Sequence, residues 1–145
     1  MKRLFTILSV LVVMLGVSAC GTKNYSTTDM IDEETAKSEG FIQLGDQPDS
    51  EGRVIYLSPD SSVGVFFKDG QFYSAYLTQG TSVQVIAKDG ELYLADNDAK
   101  QLINDNGCFI DGTKYEKDSQ ECQSISLVQG NVNDFIKENF KSIVK

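Results

Sequence analysis

A repeat constrains this chain more than any other feature. Ser62, Val63, Val65, Lys68, Asp69, Gly70, Tyr73 and Ala75 recur at a spacing of 20 as Ser82, Val83, Val85, Lys88, Asp89, Gly90, Tyr93 and Ala95. Each copy reads as a β-type run, Lys-Asp-Gly, and a second β-type run. Asp-Gly tolerates positive φ at both central positions of a type I′ turn, whose twist matches that of the strands it joins. Two copies span too little chain for a solenoid, and they mark tandem hairpins instead.

Turns at Asp69-Gly70 and Asp89-Gly90 set the pairing, and the two-residue period of a strand then sets the faces. Val63, Val65, Phe67, Phe72 and Tyr76 share one face with Val83, Val85, Ala87, Leu92 and Leu94 if the hairpins are joined by a turn at Gln79-Gly80, with Tyr76 opposite Val83. The other face takes Phe66 paired with Tyr73, Ile86 paired with Tyr93, and the polar Lys68, Gln71, Gln84, Lys88 and Glu91. That half-apolar face has three readings. Phe66, Tyr73 and Tyr93 form a platform for a ligand or partner, or they are cross-strand pairs contributing a few tenths to about 1 kcal/mol each, or rings beneath a helix.

Further β-type runs lie at 41–44 and 53–58, alongside 63–68, 71–78, 82–88 and 91–95, with loop composition over 45–52. Asp96-Asn97-Asp98 is placed to cap a helix over 99–105 that stops at Asn106-Gly107. The same acids open an EF-hand pattern that then fails: Lys100, Gln101 and Gly107 stand where an oxygen ligand, a glycine and a glutamate belong. A third Asp-Gly hairpin is expected over 108–115 and another strand over 123–128.

After Gly130, a helix capped by Asn131 or Asn133 places Val132, Phe135, Ile136, Phe140, Ile143 and Val144 within about half its circumference. Lys137, Lys141 and Lys145 suit its C-terminal half. Its apolar stripe is expected to dock on the domain's own half-apolar sheet face. The expected fold is β-rich α+β: an antiparallel meander forming a small sheet or barrel, with a C-terminal amphipathic helix.

The N-terminus has a different character. Lys2 and Arg3 precede an apolar run over 4–19 broken only by Thr6, Ser9, Gly16 and Ser18. This is a signal-peptide layout, and its 16 residues fall short of the ~20 that span a bilayer. The run ends in Val17-Ser18-Ala19-Cys20, which resembles the lipobox of bacterial lipoproteins. The resemblance covers residues 1–20 alone. It implies removal of 1–19, acylation of Cys20 by a diacylglycerol and palmitate-type chains, and a membrane anchor to which each buried methylene contributes about 0.8 kcal/mol. In the enterobacterial family, Asp after the cysteine marks inner-membrane retention. Gly21 at that place therefore implies an outer-membrane destination in a Gram-negative source.

Residues 20–40 are polar and acidic and read as a flexible tether with a span of roughly 25 Å, which a short helix over 29–38 would shorten, leaving 41–145 as one globular domain. Cleavage removes Lys2 and Arg3 and takes the net charge from −8 to −10. Such acidity argues against nucleic acid and anionic headgroups as partners.

Cys108 and Cys122 remain once Cys20 is acylated, and a pair has one connectivity. Outside the cytoplasm such a pair oxidises, closing a 15-residue loop whose chain-entropy contribution is about 3 kcal/mol.

The 145 residues contain no histidine, which removes Ser-His-Asp and Cys-His catalysis and histidine-ligated metals. No Walker or Rossmann loop occurs. Paired carboxylates need no histidine, yet the acids here fall in the tether, at turns and at caps. The expectation is a protein without catalytic function, cofactor or metal: an envelope-tethered lipoprotein presenting a small binding domain. The alternative is an acidic inhibitor or immunity protein that neutralises a cationic toxin or hydrolase by charge complementarity.

Overall fold

Three Asp-Gly pairs set the geometry of the sheet. Asp69, Asp89 and Asp111 take φ of 53°, 53° and 50°, and the glycines that follow take 80°, 81° and 85°, the paired positive φ of a type I′ turn. The computed structural model describes residues 25–128 and 130–145. The signal segment, Cys20 and residues 20–24 of the expected tether lie outside the described residues.

Nine strands follow in order: β1 (Ile42–Leu44), β2 (Arg53–Leu57), β3 (Val63–Lys68), β4 (Gln71–Leu77), β5 (Gln84–Lys88), β6 (Glu91–Ala95), β7 (Gln101–Asn104), β8 (Gly107–Ile110) and β9 (Thr113–Glu116). Each pairs antiparallel with the next, giving an open nine-stranded meander with β1 and β9 at its edges. The helices are α1 (Glu33–Ser38), α2 (Gln120–Gln123) and α3 (Val132–Asn139), with 3-10 turns at Thr27–Asp29 and Lys141–Ile143.

Helix α3 begins where Asn131 Oδ1 accepts the backbone N–H groups of Asn133 and Asp134, supplying partners to two of the orphan donors at a helix start. The helix expected to run on to Val144 ends at Asn139, and its stripe continues through the 3-10 turn that follows and turns inward. Ile136, Phe140 and Ile143 are buried together with Val65, Phe67, Leu92 and Leu94, each such side chain contributing about 1.5–3 kcal/mol by leaving water. The helix thus covers the fully apolar face of the sheet, not the half-apolar face expected to receive it. The more apolar surface gains more from being covered.

Residues 25–40 do not behave as a tether. Met30, Ile31 and Ala36 are buried in the main core, and the segment crosses the C-terminus in β fashion. Ile31 N–H donates to the Ile143 carbonyl at 2.9 Å, Lys145 N–H to the Asp29 carbonyl at 2.7 Å, and Met30 bridges Val144. Asp32 caps α1 by accepting from Thr35 N–H at 2.8 Å, and the buried Tyr56 hydroxyl donates to Glu33 Oε2 at 2.7 Å. Three apolar side chains among acids are too sparse to give a period, but they suffice to seat the segment on a sheet that already has a core.

Two expected elements are replaced. The helix over 99–105 is instead β7. Ala99 takes a φ of 55°, incompatible with a right-handed helix, and Asp96 Oδ1 accepts from the N–H groups of Lys100 and Gln101, closing a turn. Leu102 and Ile103 then face opposite sides, pairing with Phe109 and Cys108. The strand over 123–128 is replaced by the end of α2 and irregular chain, because Ser119 Oγ accepts Cys122 N–H and starts a helical turn there. Cys108 and Cys122 form a disulfide with Cα atoms 5.5 Å apart, so the bond ties β8 to α2 and not to a further strand.

The meander gives the molecule two distinct ends. The turns at 69–70 and 89–90 lie at one, where the N-terminal segment is seated: Thr27 N–H donates to the Gly90 carbonyl at 3.3 Å and Glu33 N–H to that of Gly70 at 3.0 Å. The links over 58–62, 78–83 and 96–100 lie at the other.

Candidate binding site

The site begins with a departure from ideal hairpin register. Phe67 pairs with Phe72 and Lys68 with Gln71, as the Asp69-Gly70 turn requires, but Phe66 pairs with Ser74. Tyr73 is the extra residue of a β-bulge. A one-residue shift sends every later side chain of the strand to the opposite face. Ala75 therefore joins the core opposite Val65, and Tyr76, expected in the core, lies on the other face. The link to β5 also departs by one residue. Tyr76 pairs with Gln84, not Val83, so Val83 and Val85 remain in the core.

Gly64, opposite Tyr76 in β3, makes room for the displaced ring. A Cβ at Gly64 would lie 2.2 Å from Tyr76 Cζ, closer than any real contact, so only glycine lets that ring lie against the strand. Phe66 stands beside it, with ring centroids 6.0 Å apart and planes at 43°. These rings floor a concavity of about 510 Å³ whose rim is drawn from the wide 78–83 link and the 96–100 turn. Thr78, Ser82, Gln84 and Asn97 contribute hydroxyls and amides, and the lining contains no carboxylate, ammonium or guanidinium group.

The rim is held by its own hydrogen bonds. Thr78 Oγ1 donates to the Ser61 carbonyl at 2.6 Å, Thr81 Oγ1 accepts from Val83 N–H at 3.2 Å, and Gln84 Nε2 donates to the carbonyls of Asp96 and Asn97. Gln84 Oε1 is left as an acceptor. Among the described residues the Tyr76 hydroxyl makes no hydrogen bond.

The structure does not gather Phe66, Tyr73 and Tyr93 into one platform. Phe66 belongs to the concavity. The Arg53 guanidinium lies 4.7 Å from the Phe66 centroid and 5.4 Å from that of Tyr73, itself held by Asp49 at 2.9 Å and Glu51 at 3.1 Å. Tyr73 is thus engaged by a cation beside the site. Tyr93, paired with Ile86 as expected, is only 2% exposed. It packs edge-on against Phe109 with centroids 5.5 Å apart, in a second small core with Ala95 and Leu102. Its hydroxyl donates to Glu91 Oε2 at 3.1 Å, and burial, then that carboxylate, pushes its pKa up to about 12.

Tyr76, Gln84 and Asn97 were not legible as site residues. The signal for Tyr76 was Gly64, a glycine inside a strand run, which marks a bulge or a close approach.

Among the described residues, no group of three His, Cys, Asp or Glu could hold a metal ion, and no helix is long and apolar enough to cross a membrane. In comparisons with known proteins, no family model, curated protein or solved structure matches the chain. The arrangement itself, two rings under a fringe of uncharged donors and acceptors, can hold a ligand by stacking and hydrogen bonding.

Proposed function

We propose that the chain is a lipid-anchored cell-envelope protein, acylated at Cys20 and, if its source is Gram-negative, destined for the outer membrane, that presents a small non-catalytic binding domain. The binding face is the sheet face that α3 leaves open. The observation that carries this reading is the Phe66–Tyr76 concavity with its neutral rim. A cleft with an apolar floor and a few converging polar groups is the usual form of a ligand site, and its hydroxyls and amides are groups that bind. The same neutrality favours this reading over an acidic inhibitor of a cationic toxin, which would dock through carboxylates.

Anchor and face have separate tests. Cys20→Ala should abolish metabolic lipid labelling and leave unprocessed precursor; unchanged processing and membrane fractionation would refute the anchor. For the face, envelope components retained by the acylated wild-type protein should be lost with Tyr76→Ala and kept with Tyr73→Ala. Equal retention by the Tyr76 variant would refute the binding face.

A further inference from the structure

We propose that the concavity over Phe66 and Tyr76 binds a neutral sugar ring, stacked on Tyr76. The inference rests on the binding-face reading above and adds the ligand class. Charge decides first. No charged side chain lines the concavity, and an ion drawn into it would lose hydration without gaining a counter-charge. The ligand is therefore uncharged.

Shape decides next. The floor is two tilted aromatic rings; the Arg53 guanidinium lies over Phe66, which leaves Tyr76 as the ring whose negative face attracts weakly positive C–H edges. The rim is hydroxyls of Thr78 and Ser82 and amides of Gln84 and Asn97; Thr78 and Gln84, their donors used within the rim, offer acceptors, and Ser82 and Asn97 supply donors as well. A pyranose has this pairing of surfaces: an axial C–H face and a belt of hydroxyls that both donate and accept. A hydrocarbon would leave the rim unpaired. About 510 Å³ lies within the range of small-molecule sites, roughly 300–1,000 Å³.

Gly64 sets the position of the stacking ring. With any side chain there, Tyr76 would have to lift from the strand, and the floor would be lost without removing an aromatic group.

The acylated full chain, held in a zwitterionic detergent without a sugar headgroup, is titrated calorimetrically with chitotriose, cellotriose and maltotriose, and with trigalacturonate as an anionic counterpart. At least one neutral trisaccharide should bind saturably and trigalacturonate should not. Tyr76→Ala and Gly64→Ala should each weaken binding about tenfold or more, and Tyr73→Ala should leave it unchanged. Asn97→Ala, a change at an exposed rim position, should also weaken binding and does not depend on the floor variants folding. Retention on the matching insoluble polysaccharide assigns the sugar to a glycan chain; binding of the trisaccharide alone assigns it to a free oligosaccharide.

Absence of binding by all three neutral probes overturns the inference, as does equal binding of trigalacturonate or undiminished binding by the Tyr76, Gly64 and Asn97 variants. If no sugar binds while Tyr76→Ala still loses envelope components, the ligand class falls and the binding face stands. If that loss is also absent, both fall.

Discussion

Tyr56 and Tyr93 each place a phenol hydroxyl against a glutamate, Glu33 and Glu91. Burial first, and the neighbouring carboxylate second, push both pKa values from 10.0 to about 12. A group with a raised folded pKa stabilises fully below its unfolded value, and that contribution is lost as pH rises through the folded one. The fold should therefore weaken between about pH 10 and 12. In circular dichroism, Tyr93→Phe should move the alkaline midpoint upward, while costing on the order of 1 kcal/mol at neutral pH through the lost hydrogen bond. An unshifted midpoint would remove Tyr93 from the account. At this scale the sequence was partly legible. The pairing of Ile86 with Tyr93 follows from the turn, but the burial of Tyr93 depends on Phe109, which reaches it only because 101–104 is a strand.

Among elements, the three Asp-Gly hairpins were readable because turn chemistry and alternation agree over a few residues. The start of α3 was readable for the same reason, a clear apolar stripe behind Asn131 or Asn133, and the structure takes Asn131 as the cap. Where local signals conflict, tertiary contacts decide. Asp96-Asn97-Asp98 has capping composition, yet its carboxylate closes a turn because Leu102 has a place beside Ala95 and Phe109. The bulge at Tyr73 had no local signature beyond Gly64, and the concavity depends on it. One element-scale prediction concerns the disulfide. Replacing Cys108 and Cys122 by Ser should lower unfolding free energy by about 3 kcal/mol, measured by denaturant titration, and reductant should lower the wild type but leave the variant unaffected. A loss well under 1 kcal/mol would mean that α2 is held in place without the covalent tie.

For the whole molecule, the core is built from both ends of the chain. Met30 and Ile31 pack with Phe140 and Ile143 against a sheet that lies entirely between them in sequence, so the fold closes only when its first and last segments meet. A chain lacking residues 25–38 should lose cooperative thermal unfolding and fixed tyrosine signals in near-ultraviolet circular dichroism, although every strand is retained. A sharp transition in that truncation would show that the segment only decorates the sheet. Sequence composition pointed to a tether here because acids outnumber apolar residues, and composition does not register three apolar contacts made across the whole chain.

The seating of Tyr25 and Ser26 against the 89–90 end fixes a direction as well as a boundary. In a chain acylated at Cys20, four residues separate the lipid from Tyr25, a leash of at most roughly 17 Å even at full extension. Such a leash would keep that end of the sheet within reach of the bilayer. Seven residues of β4 rise about 23 Å at the usual spacing, which sets the separation between the leashed end and the opposite one. The concavity lies at the opposite end of the strands, so in an acylated chain it would stand on the side of the domain away from the lipid.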